Sequence, residues 1–359
     1  AQLNVIADLG KLNAAFGGFL GDKRPKELAG HLTVEEKVTH TADRVMAASG
    51  SVRLEGIRVR RAAEDKVLEV KKLSLENQVS FQAATGGLDC KKLHINLDGW
   101  GLVDVVSTLA GPAGRQRMTG RLSAEIDTVP AVALLKTYLP QLEKAAPGGK
   151  ITLATDWSGE LAEQAFLVNT LRLDSPGLSA SLKEPARFSG KTSEARARLQ
   201  LAADAGQLHQ MWGCLMGANP PQEMGGKFTG EQEVFLTKDK KAGAEGWLKF
   251  ESGHYLKTAF DVPFDVTKLD LTNKVTCQLP EKAPADQPPP DWTAQLRGLD
   301  GKVLARMDRF TGKGIVLENL DLPVTLDRGL IELKDLTAKV NGGDLKVFTR
   351  VDARPVVPL

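Results

Sequence analysis

The sequence predicts a mainly β protein: a curved antiparallel sheet interrupted by three short helices. Three observations carry that expectation. Apolar and polar residues alternate through most of the 359-residue chain, as in strands with one face on a core and the other toward water. Turn formers are frequent, with 35 Gly and 18 Pro, as many short connections require. A strand–Asp–helix–Gly–strand pattern also recurs three times.

The alternation is plain in SVRLEGIRVRR (Ser51–Arg61), KVLEVKKLSLE (Lys66–Glu76), LHINLDGWG (Leu93–Gly101) and FLVNTLRLDS (Phe166–Ser175). A sheet covered by helices on both faces would instead show continuously apolar strands.

Three stretches break the strand pattern in the same way: Leu3–Leu20, Leu122–Leu139 and Leu199–Met216. Each starts as a strand whose Leu precedes an aspartate by five residues, and the aspartates are Asp8, Asp127 and Asp204. A helical stripe follows at offsets of 4, 8, 11 and 12, through Leu12, Phe16, Phe19 and Leu20 in the first copy. The second copy has Ala131, Leu135, Tyr138 and Leu139, and the third Leu208, Trp212, Leu215 and Met216. The aspartate suits the N-cap of each helix. The stripe predicts helices lying across the apolar face of the sheet, with Trp212 buried. Gly30, Gly149 and Gly226 each fall 22 residues after their aspartate and open a new strand.

This organises the chain into repeat units over 1–121, 122–198 and 199–279. A linker over 280–291 and a C-terminal β module over 292–359 follow. The linker lies in LPEKAPADQPPPDW (Leu279–Trp292), whose five prolines and lack of apolar period read as an extended connector.

Composition excludes several classes. With 47 basic and 45 acidic residues the net charge is +2, which offers no clustered basic face for nucleic acid. No apolar run reaches the length of a membrane span, and the opening AQLNVIADLG does not read as a signal sequence. Cys90, Cys214 and Cys277 match no metal spacing and read as free thiols. His31, His40, His94, His209 and His254 form no i, i+4 pair. Gly17–Arg24 is glycine-rich but lacks the Gly-Lys-Ser/Thr of a phosphate loop, and no G-x-S-x-G occurs. Glu55, Glu69, Glu76, Asp98, Glu332 and Asp344 lie on alternating strands and read as solvated faces, and Lys238–Lys241 reads as a basic hairpin tip. Neither a catalytic centre, a metal nor a cofactor is expected. A carbohydrate-active enzyme is disfavoured by an aromatic content of 5%, because sugar sites rely on aromatic platforms.

So many half-polar strands must bury their apolar face somewhere, and three short helices cannot cover them. Pattern alone leaves two outcomes: sandwiches with filled cores, or a sheet that curls and keeps an apolar trough open.

The C-terminal stretch RGLIELKDLTAKVNGGDLKVFTRVDARP (Arg328–Pro355) adds weight to the second. Gly329 turns one strand into the next, and Asn341-Gly342 is a strong two-residue hairpin signal. From Leu299 onward the cadence Ala305, Asp308, Phe310, Gly312, then Leu317, Leu320, Val324, Leu326, Gly329, Ile331, Leu333, Leu336, Ala338, Val340, Gly342, Gly343 and Leu345, closing on Asp352, Arg354 and Pro355, resembles the C-terminal region of the AsmA-like family of bacterial envelope proteins. That family is related to TamB and to chorein-type bridge proteins. The N-terminal part resembles it more loosely, through the helix after Asp8 and the strand at Gly30.

The resemblance implies an elongated, taco-like β-groove in the periplasm, anchored to the inner membrane by a helix outside this chain. It implies phospholipid transport or outer-membrane biogenesis without catalysis, and a chain that is one piece of a longer protein. The expected partners are phospholipid acyl chains, cell-envelope membranes and other envelope proteins, with no nucleic acid. The expected groove residues are Leu54, Leu73, Leu75, Ile95, Ile151, Leu171, Ile315, Leu317, Leu333 and Leu345. The competing expectation is an envelope scaffold with a closed core and no lipid.

Overall fold

The structure is a computed structural model that describes residues 1–16, 25–60, 67–112, 114–136, 139, 142–143, 145–212, 222–256, 264–278 and 297–354. The side chains of Phe16, Trp212 and Leu256 are outside that description. The protein is mainly β, with eighteen antiparallel strands and three short helices among the described residues.

Two compact units divide the chain: Ala1–Pro176 with Gln210–Leu215, and Gly177–His209 with Met216–Leu359. The first holds β1 (Gln2–Asp8), α1 (Leu9–Phe16), β2 (Glu27–His40), β3 (Val45–Arg60), β4 (Val67–Gln82), β5 (Gly87–Leu97), β6 (Gly101–Ala110), β7 (Arg117–Asp127), α2 (Thr128–Leu135), β8 (Lys150–Glu160) and β9 (Ala165–Ser175). Each strand there pairs antiparallel with the next.

The strands of the second unit are β10 (Leu178–Ser189), β11 (Glu194–Asp204), β12 (Glu223–Leu236), β13 (Lys241–Leu256), β14 (Phe264–Gln278), β15 (Leu299–Gly312), β16 (Ile315–Asp327), β17 (Leu330–Val340) and β18 (Gly343–Asp352); α3 (Ala205–Trp212) follows β11, its residues up to His209 falling in this unit. They pair in the same sequential way. Among the described residues neither run closes on itself: β1 shares no register with β9, nor β10 with β18.

The three helices start where the aspartates place them. Asp8 Oδ1 accepts the Lys11 amide at 3.0 Å, Asp127 Oδ1 the Val129 amide at 3.0 Å, and Asp204 Oδ1 the Gln207 amide at 2.9 Å. Each cap satisfies a backbone donor that the first helical turn leaves free. The flanking strands pair in one shared register: Asp8 opposes His31, Asp127 opposes Lys150, and Asp204 opposes Lys227. The chain leaves its strand at the aspartate and returns through Gly30, Gly149 or Gly226, with φ of +126°, +82° and +113°. L side chains rarely adopt that conformation.

Each helix has eight described residues and reaches offset 8; of the positions at offsets 11 and 12 only Leu139 is described, and it is not helical. Where the stripe is described its burial is uneven: Ala131 is 6% exposed, whereas Leu12 is 39% exposed, Leu135 44% and Leu139 40%. In α2 the inward side is Thr128, Ala131 and Val132, and Val132 packs with Leu142 and Ala145. Leu135 continues that line seven residues after Thr128 but stands at the last helical position, where it is exposed. The side chains of Phe16 and Trp212, and all of Phe19, Leu20, Tyr138, Leu215 and Met216, lie outside the described residues.

A longer duplication extends beyond the helix motif. Moving from Asp8 to Asp204 carries α1 onto α3, β2 onto β12 and β3 onto β13, residue for residue at both ends. It also carries the end of β4, Gln82, onto the end of β14, Gln278. The hairpin turns match too: Thr41 donates its amide to Val45 O at 3.0 Å and Thr237 to Lys241 O at 2.9 Å, with Arg44 and Lys240 both left-handed at φ 58° and 56°.

The proline-rich segment lies outside the described residues, and the strands on either side of it, β14 and β15, pair directly from Cys277–Leu299 to Asp265–Thr311. The C-terminal hairpin turns at Asn341 and Gly342, both with positive φ (49° and 85°), as a type I′ turn needs. Arg354 closes on Asp352 in a bidentate pair, Nε to Oδ1 at 2.8 Å and Nη2 to Oδ2 at 2.5 Å. That holds the Asp352 carboxyl down to about 2.

Candidate functional site

Antiparallel registers place residues in rows that cross the strands, and successive rows alternate between faces. In the first unit one row runs Val5, Val34, Val52, Leu75, Ile95, Val103, Ala124, Leu153, Leu173. It crosses all nine strands without a polar side chain. At about 4.8 Å per strand, eight steps span roughly 38 Å. The next row on that face runs Leu32, Leu54, Leu73, Leu97, Gly101, Ile126, Ile151.

The opposite face is charged and paired across strands. Arg121 Nε meets Asp156 Oδ1 at 2.6 Å, Lys150 meets Glu125 at 2.5 Å, Lys92 meets Glu76 at 2.5 Å, and His94 Nδ1 meets Asp104 Oδ1 at 2.7 Å. The Lys92 and Arg121 contacts hold the Glu76 and Asp156 carboxyls below their ordinary range. Glu55, Glu69 and Glu332 also pair with cations, Lys72, Arg58 and Lys334.

The second unit repeats the division. Its apolar face carries a row Ala197, Val234, Ala244, Val275, Gly301, Leu326, Ile331, Val351. Its charged face gathers Lys183 and Arg198 around Glu231, which is only 7% exposed.

These apolar rows are half-buried rather than enclosed: Leu54, Leu73, Leu75, Ile95, Ile151 and Leu171 are all intermediate in exposure. Among the described residues the buried apolar side chains are few and mostly small, with Val132 the largest that is fully buried.

Of the residues expected to line a groove, the structure brings six together on one face of the first unit. Leu54 opposes Leu73, Leu75 opposes Ile95, Ile151 continues the Leu54 row, and Leu171 opposes Thr155 in a third row. In the second unit Leu333 opposes Val324, Leu345 opposes Ala338, and Leu317 opposes Phe310 and Val340. Ile315 sits at a hairpin end opposite Gly312 and is 47% exposed.

The valines of β1, β2, β3 and β6 were not anticipated, though their alternation was visible. A further feature was also missed, a polar interruption of the third row. On the first unit that row reads Leu3, Glu36, Gly50, Asn77, Leu93. On the second it reads Leu199, Gln232, Gly246, Asn273, Val303. The two are the same positions of the duplication, and the glycine leaves room for the flanking polar side chains to meet above it. Gln232 Nε2 donates to Asn273 Oδ1 at 2.9 Å, and Asn77 Nδ2 donates to Glu36 Oε1.

Among the described residues no helix is long and apolar enough to cross a membrane, and no group of three or more His, Cys, Asp and Glu side chains gathers as a metal ion would require. Cys90 and Cys277 are free thiols. No family model, no curated protein and no solved structure matches the chain.

Proposed function

We propose that the apolar face of the sheet binds the acyl chains of phospholipid, and that the chain is a non-catalytic lipid-carrying segment of a cell-envelope protein. The observation that carries this reading is the unbroken row from Val5 to Leu173, left half-buried. A continuous aliphatic strip of that extent on a soluble chain marks an interaction surface. An acyl chain suits it chemically: each buried methylene contributes about 0.8 kcal/mol, and the row offers no hydrogen-bonding side chain that a peptide partner would need. The resemblance of Leu299–Pro355 to AsmA-like proteins supports the same reading, with a periplasmic location, an inner-membrane anchor elsewhere in the full protein, and a part in phospholipid transport or outer-membrane biogenesis.

Phospholipid with a diazirine in its acyl chain tests the proposal. The expected result is photolabelling of peptides carrying Leu75, Ile95 and Val103, lost in Leu75→Asp with the circular dichroism spectrum retained. Labelling confined to the charged face, or unchanged in Leu75→Asp, would refute it. No labelling at all would favour the envelope-scaffold reading.

A further inference from the structure

The duplicated polar interruption is satisfied in one copy and unsatisfied in the other. In the second unit Gln232 and Asn273 hydrogen-bond to each other, and Asn273 Nδ2 also donates to Ala244 O at 3.2 Å. In the first unit the matching pair is Glu36 and Asn77. Asn77 spends its Nδ2 on Glu36 Oε1, while Glu36 Oε2 and Asn77 Oδ1 are buried with no hydrogen-bond partner. This pair leaves two orphaned acceptors within an aliphatic surface, one of them on a carboxylate. Leaving them so is unfavourable, and a glutamine at position 36 would remove the conflict by donating to Asn77, as Gln232 does to Asn273. An acid where the copy holds the self-satisfying amide is a local conflict of the kind that functional sites carry.

Resting on the acyl-chain reading above, we infer that Glu36 and Asn77 form a recognition notch for the primary ammonium of an amphipathic ligand whose hydrocarbon lies along the Val5–Leu173 row. The chemistry selects that group. Both free atoms are acceptors and the site carries negative charge, so a phosphate or carboxylate is repelled. A hydroxyl brings a single donor, whereas an ammonium brings three with a complementary charge. Gly50 makes the notch possible: a Cβ there would stand 2.7 Å from Glu36 Cδ and Oε2. The carboxylate is therefore free to swing from above Gly50 toward a ligand by rotation about its own side-chain torsions.

Dodecylamine and dodecanol, matched in chain length, test the inference by calorimetric titration of the full chain at neutral pH. Wild type is expected to bind the amine about tenfold more tightly than the alcohol. Glu36→Gln is expected to bring the two within about twofold and to raise Tm. Equal binding of both ligands by wild type overturns the ammonium notch and leaves the acyl-chain reading standing. Binding of neither ligand overturns both. A preference for the amine that survives Glu36→Gln, or a lowered Tm in that variant, also overturns the assignment to Glu36.

Discussion

Asp127 stands directly opposite Lys150 across β7 and β8, although a helix and the segment after it separate them in the chain. The aspartate therefore acts twice. Its backbone closes the strand pair, and its side chain caps α2 through the Val129 amide. The Lys150 ammonium, hydrogen-bonded to Glu125 and attracted by Asp127, has its pKa raised. Asp8 and Asp204 repeat the arrangement with His31 and Lys227. An eight-residue helix is too short to be stable alone, so its cap and its neighbours decide whether it forms. Asp127→Ala is expected to destabilise the protein by about 1 kcal/mol in urea unfolding. No change in the midpoint would show that the cap contributes nothing.

The buried side of α2 predicts a contrast within one helix. Val132 is 2% exposed and packs on Leu142 and Ala145, whereas Leu135 is 44% exposed. Val132→Ala should cost about 2 kcal/mol through lost burial and the cavity left behind. Leu135→Ala should stay within about 0.5 kcal/mol of wild type. The reverse order would mean that the helix is rotated from the orientation described.

Gly50 and Gly246 occupy equivalent positions, and a Cβ at either would stand 2.0 Å from a backbone oxygen of the preceding strand, Glu35 O or Glu231 O. Backbone cannot yield as a flexible side chain does. Gly50→Ala and Gly246→Ala should each destabilise by about 1–3 kcal/mol, read as a lowered thermal midpoint. A neutral result at both would refute the close approach of these strands.

Two paired groups, a half-buried histidine and an exposed aspartate, set opposite pH limits. His254 Nδ1 lies 2.6 Å from Asp265 Oδ1 and Nε2 3.1 Å from Glu223 Oε2, and the hydrogen bond that the protonated ring donates to Asp265 leads in raising its pKa. A raised histidine stabilises fully below its unfolded value of about 6.5 and loses that contribution as pH rises through the folded value. Asp352, lowered to about 2 by Arg354, stabilises above its unfolded value near 4 and loses that contribution as pH falls toward 2. Both contributions are present between about pH 4 and 6.5. NMR titration should show His254 above the ordinary histidine range and returning toward it in Asp265→Asn. Asp352→Asn should flatten the acid limb of the stability profile between about pH 4 and 2. An unshifted His254 titration would contradict the pairing.

Local chemistry wrote the strands, the three aspartate caps, the glycines at offset 22 and the Asn341-Gly342 turn into the sequence, because each depends on side chains or backbone angles within a few residues. Alternation likewise marked Leu54, Leu73, Leu75 and Ile95 as residues of one face. It did not reveal that Val5 and Leu173 belong to a single row, because a row is set by the eight strand registers that link them, and register is a property of pairing rather than of any one strand. In α2 periodicity marked the face that carries Ala131 and Leu135, and only packing decided that Ala131 and its neighbour Val132 are buried while Leu135, at the helix end, is exposed. Glu36 and Asn77 lie far apart in the chain and look like ordinary polar residues of their strands. Tertiary structure alone sets them on either side of Gly50, on the apolar face, where the cost of an unpaired acceptor makes them informative.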